Sequence, residues 1–181
     1  FTPIALDHTD RLGKDLDAIA RTKSGIIKPS AMVVSAAQDP IVRAVLDEAV
    51  DLTESTLTFV SSTENPEVGN PVAVVSRAVA VGGQLVTIQG AAGRYDDLFL
   101  ALYGDHQAEN AALAIAAVEA FLGGASQSLE QEVLDEAFAT VSSPGRLQLV
   151  AADPTVLVDA AHNPHGAASL AKALTTYFTF D

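Results

Sequence analysis

Between residues 31 and 60 the sequence alternates a short apolar run, an amphipathic stretch and a second apolar run, and that alternation admits few folds. Residues 31–35 (Ala-Met-Val-Val-Ser) and 56–60 (Thr-Leu-Thr-Phe-Val) have the length and β-branched content of strands. Between them Ile41, Val45, Leu46 and Ala49 recur at helical spacing, which predicts a helix over residues 41–50 with those side chains on one face. Parallel neighbouring strands need such a crossover, so the expected class is α/β.

Similar signals continue on both sides. Residues 3–6 read as an opening strand, and Asp15 as the N-cap of a helix carrying Leu16, Ile19 and Ala20 and ending near Gly25, with Lys23 in its last turn. Residues 61–70 have the composition of a loop. Residues 72–81 and 84–89 read as a hairpin turned at Gly82-Gly83, and residues 97–103 as one more strand. An Ala-rich helix is expected over residues 105–122, with Leu113, Val118, Phe121 and Leu122 available for burial and Gly123-Gly124 as its stop. A further helix over residues 128–140 leads to Ser142-Ser143-Pro144-Gly145, the expected domain boundary. Beyond it lie two strands, residues 146–151 and 155–159, turned at Asp153-Pro154. A last helix from Pro164 holds Leu170, Ala173, Leu174 and Tyr177.

With 181 residues, 49% of them hydrophobic, the chain can bury one domain or one and a part. A net charge of −13 with scattered basic residues argues against nucleic-acid and anionic-membrane partners. The absence of cysteine excludes disulfides and thiolate metal sites, so any metal must be held by oxygen and imidazole, and a cytoplasmic location is expected. A monomer is the separate expectation for its assembly. No apolar run is long enough to span a bilayer. The chain opens on Phe1 inside an expected strand, which reads as a piece of a longer protein.

Four places carry chemistry. His8 with Asp7 and Asp10 at a strand end suits a divalent cation, or a capped turn with a solvated imidazole. Lys23 by itself is a surface lysine whose charge suits a helix C-terminus. Asp105, His106 and Asn110 open a long helix, where they could meet an anion or simply form a polar first turn. Arg146 follows the Pro-Gly break and Asp159 ends an apolar strand; they could take phosphate and ribose, or be halves of structural ion pairs. There is no nucleophile elbow and no phosphate-binding Gly-Lys-Ser/Thr loop.

Several segments together carry a family resemblance. They are Leu6-Asp7-His8-Thr9-Asp10 with Leu12-Gly13, Lys23-Ser24-Gly25-Ile26-Ile27-Lys28-Pro29 and Gly104-Asp105-His106-Gln107-Ala108-Glu109-Asn110, followed by Pro144-Gly145-Arg146 and Asp159-Ala160-Ala161-His162-Asn163-Pro164-His165-Gly166-Ala167. In this order they resemble the folylpolyglutamate synthase and dihydrofolate synthase family, a branch of the Mur-ligase-like ATP-dependent amide ligases. The resemblance implies the later part of a central ATPase domain over residues 1–143 and the start of a Rossmann-like C-terminal domain over residues 144–181.

It also implies roles. His8 resembles a magnesium ligand, and Lys23 a lysine carbamylated by carbon dioxide, a reaction favoured where burial keeps the amine neutral. Asn110, Arg146 and Asp159 resemble ATP-contacting residues, and His162 a histidine facing the phosphate or glutamate side of the cleft. The implied reaction uses ATP and Mg2+ to join L-glutamate to a folate or dihydropteroate carboxylate through an acyl phosphate. The implied activity belongs to a parent protein, and the isolated chain is expected not to turn over. Thr22 stands where the family commonly has an acidic residue. A peptidoglycan-precursor Mur ligase and a non-catalytic nucleotide-binding module are the alternatives.

Overall fold

A computed structural model describes residues 1–61 and 71–178. Five strands form one sheet in sequential order, β1 (Met32–Ala36), β2 (Thr56–Ser61), β3 (Val72–Ala80), β4 (Gly83–Gln89) and β5 (Arg94–Leu100). The first three run parallel, and β4 and β5 add as antiparallel neighbours. Helices α1 (Leu16–Ser24) and α2 (Pro40–Leu52) precede and follow β1. Helices α3 (Asp105–Gly123) and α4 (Gln131–Thr140) follow β5, and an antiparallel pair, β6 (Gln148–Ala152) and β7 (Thr155–Val158), leads into α5 (Pro164–Tyr177). The expected α/β class is found, with a mixed rather than wholly parallel sheet.

The sheet is covered on both faces. Successive residues of β1 point opposite ways, Val33 into a cluster with Ile4, Ile19, Val42 and Leu46 of the α1 and α2 side, and Val34 towards Val72, Ile88, Leu98 and Ile115 on the α3 side. Helix α3 lies close to the sheet because Ala108, Ala112 and Ala116, spaced one turn apart, are all buried. Fully buried leucines and isoleucines such as Leu98 and Ile115 each contribute about 1.5–3 kcal/mol through apolar burial. Among the described residues no helix is long and apolar enough to cross a membrane.

Local departures from the sequence reading have identifiable causes. Residues 3–6 are not a strand: the Ala36 amide donates to the Phe1 carbonyl, but Pro3 has no N–H and the Ile4 amide is taken by the Gln38 side chain. The fifth strand lies at Arg94–Leu100 rather than residues 97–103, because Gln84 draws the Leu102 and Gly104 carbonyls out of the ladder. The hairpin turns at Val81-Gly82, one residue early, with Gly82 at a φ of 82° that favours glycine. Helix α4 starts at Gln131 instead of residue 128, since the Leu129 amide is engaged by the Tyr95 hydroxyl. Leu113 is buried as expected, but Val118, Phe121 and Leu122 are exposed. Ile41 is likewise exposed, while Val45 and Leu46 of the same helix are buried. The loop expected over residues 61–70 lies almost wholly outside the described residues.

Candidate functional site at the junction of the N-terminal segment, α3 and α5

Asp159 sits one residue beyond β7, where the strand's apolar pattern ends, and both of its oxygens are used by the backbone. Oδ2 accepts from the Leu147 amide at 2.7 Å and Oδ1 from the Ala161 amide at 2.7 Å. The carboxylate thus ties the turn after Gly145 to the segment before α5. Leu147 has a positive φ of 46°, a conformation disfavoured for a branched side chain and held here by that hydrogen bond. The turn leaves Arg146 exposed. Its guanidinium makes no hydrogen bond or ion pair among the described residues, so the reading of Arg146 as half of an ion pair is not met there.

Arg146 and Asp159 line a cavity of about 330 Å³ together with His106, Gln107 and Asn110 of α3 and His165 of α5. Three residues separated widely in sequence, Asn110, Arg146 and Asp159, therefore meet at one place. The Asn110 side-chain amide donates to Gln107 Oε1 at 3.2 Å, which orients it on the helix face. Burial lowers the pKa of His106, against the opposing pull of Asp159 and Asp105. Arg146 and His165 reinforce the lowering. A neutral imidazole beside an unpaired guanidinium and a carboxamide suits an anionic, hydrogen-bonding ligand.

Next to this cavity the N-terminal segment meets the loop that starts α5. Asn163 caps that helix by accepting from the Gly166 amide at 2.7 Å, and its side-chain amide donates to Asp7 Oδ2 at 3.1 Å. The same Asp7 oxygen lies 3.5 Å from His162 Nε2 and 3.8 Å from His8 Nε2. One donor atom from each of Asp7, His8 and His162 falls within 4.8 Å of the others, so these residues could hold a metal. Desolvation tends to raise the Asp7 pKa, but the His8 amide, the Asn163 amide and the two imidazoles together hold it below the ordinary aspartate value. Asp10, grouped with His8 in the sequence reading, instead lies by Arg11 at 3.8 Å.

Lys23 is placed apart from these contacts. It is exposed in the last turn of α1, and among the described residues nothing buries its amine or pairs with it. Thr22, in place of an acidic residue, lies with its hydroxyl 3.1 Å from the Leu12 carbonyl and 3.0 Å from that of Ala18, fastening α1 to the loop after His8.

The sequence reading missed Asp7 as a partner of His162, and it missed His165. The Asp-His pair and the His-Asn-Pro-His run were visible, but nothing local signals that they approach one another. A further cluster, also unforeseen, seats α5 on the sheet. Asp105 lies 2.7 Å from both Arg77 of β3 and Lys172 of α5. Arg77 also donates to the Tyr177 hydroxyl at 2.7 Å, which in turn donates to Gln84 Oε1 at 3.0 Å.

Comparison with known proteins agrees with this arrangement. The Mur ligase middle domain family matches residues 1–118. The chain is 45% identical to the dihydrofolate synthase/folylpolyglutamate synthase of Mycobacterium tuberculosis, over 99% of this chain and 37% of that protein. It is 32% identical to the folylpolyglutamate synthase of Lacticaseibacillus casei, over 99% of this chain and 40% of that protein. Among solved structures, the M. tuberculosis folylpolyglutamate synthase complexed with ADP and AMPPCP superposes with a TM-score of 0.88 at 41% identity, over 99% of this chain and 39% of that one. A folylpolyglutamate synthase–AMPPCP–folate complex gives 0.89 at 31% identity, over 99% and 42%. The chain thus spans about two fifths of the length of the curated relatives it matches. Sequence match, sheet topology and the convergence of the polar segments lead to one conclusion: this chain belongs to the Mur ligase middle domain family.

Proposed function

We propose that the chain forms the nucleotide-binding part of an ATP-dependent ligase that joins L-glutamate to a folate or dihydropteroate carboxylate. The observation that carries this reading is the unpaired Arg146 guanidinium, brought to one cavity with Asn110 and His106. Its relatives are folylpolyglutamate and dihydrofolate synthases, and solved examples hold ADP, AMPPCP and folate. In this proposal residues 1–143 belong to the central ATPase domain and residues 144–181 open the C-terminal one. ATP lies between them.

The γ-phosphoryl group passes to the substrate carboxylate, giving an acyl phosphate and ADP. The deprotonated amine of glutamate then attacks the acyl carbon, forms the amide and releases phosphate. Arg146 holds phosphate oxygens in a forked geometry and offsets charge as the phosphoryl transfers. Asn110 orients the nucleotide through its amide. Asp159 keeps the Arg146 turn in place through the Leu147 amide and offers remaining lone pairs to a nucleotide hydroxyl. His162 faces the phosphate or glutamate side of the cleft.

An imidazole beside the Asp7 carboxylate is a donor set that fits a divalent cation, so His8 is assigned to Mg2+. When bound, that ion would neutralise charge on the phosphate oxygens. Lys23 is assigned as the carbamylated lysine, its amine adding to carbon dioxide with loss of a proton. The described residues leave it exposed, so its desolvation would have to come from a bound substrate or from chain beyond these residues. A monomer in the cytoplasm completes the proposal.

The test is a ligation assay on the natural full-length protein with folate, dihydropteroate and peptidoglycan precursors in competition. ADP release that needs both glutamate and a pterin substrate supports the reading. Turnover with peptidoglycan precursors alone would move the protein to another branch of the ligases, and no turnover at all would make it a non-catalytic module. The 181-residue chain by itself should release no ADP.

A further inference from the structure

We infer that Tyr177 and Lys172 of α5 are positioning residues for the nucleotide cavity, acting with Gln84 on the turn that opens α3 and so setting where His106 and Asn110 stand. This rests on the nucleotide-binding part of the proposed function and not on the ligation step. Neither side chain lines the cavity itself; both act through the turn.

The order of donors and acceptors fixes that turn. Gln84 of β4 is wholly buried, and its Nε2 donates to the Leu102 carbonyl at 2.9 Å and to the Gly104 carbonyl at 3.0 Å. Carbonyls only accept, so the amide turns its nitrogen to them and its oxygen the other way. The Tyr177 hydroxyl donates to that oxygen at 3.0 Å, while its own oxygen accepts from Arg77 Nη1 at 2.7 Å. A guanidinium only donates, so the one phenolic hydrogen is left for Gln84. Removing the hydroxyl deprives a buried acceptor of its donor, and the hold on the turn weakens.

A second tie reaches the same place. Asp105, the first residue of α3, lies 2.7 Å from Lys172 Nζ and 2.7 Å from Arg77 Nη2, so Arg77 joins the two ties. Tyr103, within the turn, packs edge-on against Tyr177 with ring centroids 5.3 Å apart. The placement of the turn passes directly to the site. Gly104 has a φ of 102°, and a Cβ there would stand 2.5 Å from His106 Cε1, so that imidazole rests on the backbone of the turn. Asn110 follows one helical turn after His106, on the same face. Across the cavity, α5 contributes His165, Ser169 and Ala173 to the lining. The same helix thus forms one wall and, through Lys172 and Tyr177, anchors the start of the other. Walls tied in this way hold their geometry before a ligand arrives, and a weaker tie lowers the fraction of molecules ready to bind.

The test uses the natural full-length protein and isothermal titration with AMPPCP and Mg2+. Tyr177→Phe should weaken binding about tenfold, the size of one buried acceptor left unsatisfied, while still taking up one equivalent. Lys172→Met, which loses a half-exposed charge pair, should weaken it about threefold, and Lys172→Arg should restore it. A merely structural role gives a different result, because partly unfolded protein lowers the number of sites and leaves the affinity of the remainder unchanged. Circular dichroism checks folding; should Tyr177→Phe not fold, Lys172→Met and Lys172→Arg decide. Unchanged affinity in both Tyr177→Phe and Lys172→Met, with or without a loss of sites, overturns the inference. Failure of the unaltered protein to bind AMPPCP would overturn both the inference and the functional reading. Binding that responds to the variants in a protein that ligates nothing would still support the inference, so the two fail separately.

Discussion

Two polar regions of the molecule are built on opposite principles. Glu119 of α3 is fully buried, and both of its oxygens are engaged: the Tyr95 hydroxyl donates to Oε1 at 2.6 Å and the Ala91 amide to Oε2 at 2.7 Å. Tyr95 in turn accepts from the Leu129 amide at 2.9 Å, so this one cluster holds β5, the turn after β4 and the approach to α4. Gly90 lies so close that an added Cβ would stand 2.5 Å from Glu119 Oε1. At the junction of the N-terminal segment with α5, by contrast, Arg146 has no partner among the described residues, and one donor atom from each of Asp7, His8 and His162 falls within 4.8 Å of the others near the surface. A closed network stabilises the fold; an open one is available to a ligand.

Several measurements sharpen or break that contrast. Arg146→Ala should have the largest effect, lowering ligation by the natural full-length protein about 10³-fold, as loss of a phosphate-stabilising arginine does, while leaving thermal stability unchanged. If activity held, Arg146 would be a surface residue. Glu119→Ala should do the reverse: about 3 kcal/mol lost in denaturant unfolding, since Tyr95 and the Ala91 amide are left unsatisfied in the interior. Glu119→Gln should cost less, because its carbonyl still accepts one of the two bonds.

Asp105→Asn should come next, at about 2 kcal/mol, a value discounted for the partial exposure of Lys172. Both Asp105 oxygens are sealed from solvent and contacted by Arg77 and Lys172 rather than by conventional hydrogen bonds. Neutralising the residue leaves two cations facing each other, so amide exchange in α5 should accelerate with the loss.

The smallest effect concerns pH. Burial, followed by the hydrogen bond to Glu119, raises the Tyr95 hydroxyl to about 12. Because the folded value is above the unfolded one, its contribution is fully present below about pH 10 and lost as pH rises towards 12. Tyr95→Phe should be less stable near neutrality but should show a shallower alkaline decline than the unaltered protein. Parallel declines would show that Tyr95 does not titrate with folding.

Much of the fold was legible because its signals are local. The spacing in residues 41–50 and the Asp15 cap each depend on a few neighbouring residues, and both helices formed. The opening strand failed because pairing is decided by a partner: Pro3 has no N–H, and Gln38, far along the chain, takes the Ile4 amide. Val118, Phe121 and Leu122 failed for a related reason. A strongly apolar helix shows little preference between its faces, and the alanine side is what fits against the sheet.

By itself the sequence determined the element order, the break before Arg146 and the residue types able to bind phosphate and metal, because these depend on side-chain chemistry and short-range spacing. Only the tertiary structure decided which of them meet. It brought Asn110, Arg146 and Asp159 to one cavity, set His162 rather than Asp10 beside Asp7 and His8, and left Lys23 exposed. Distance along the chain carries no information about such approaches. They follow from how α3 and α5 pack and from the hydrogen bonds of Asp159, Asn163 and Asp105 that seat them.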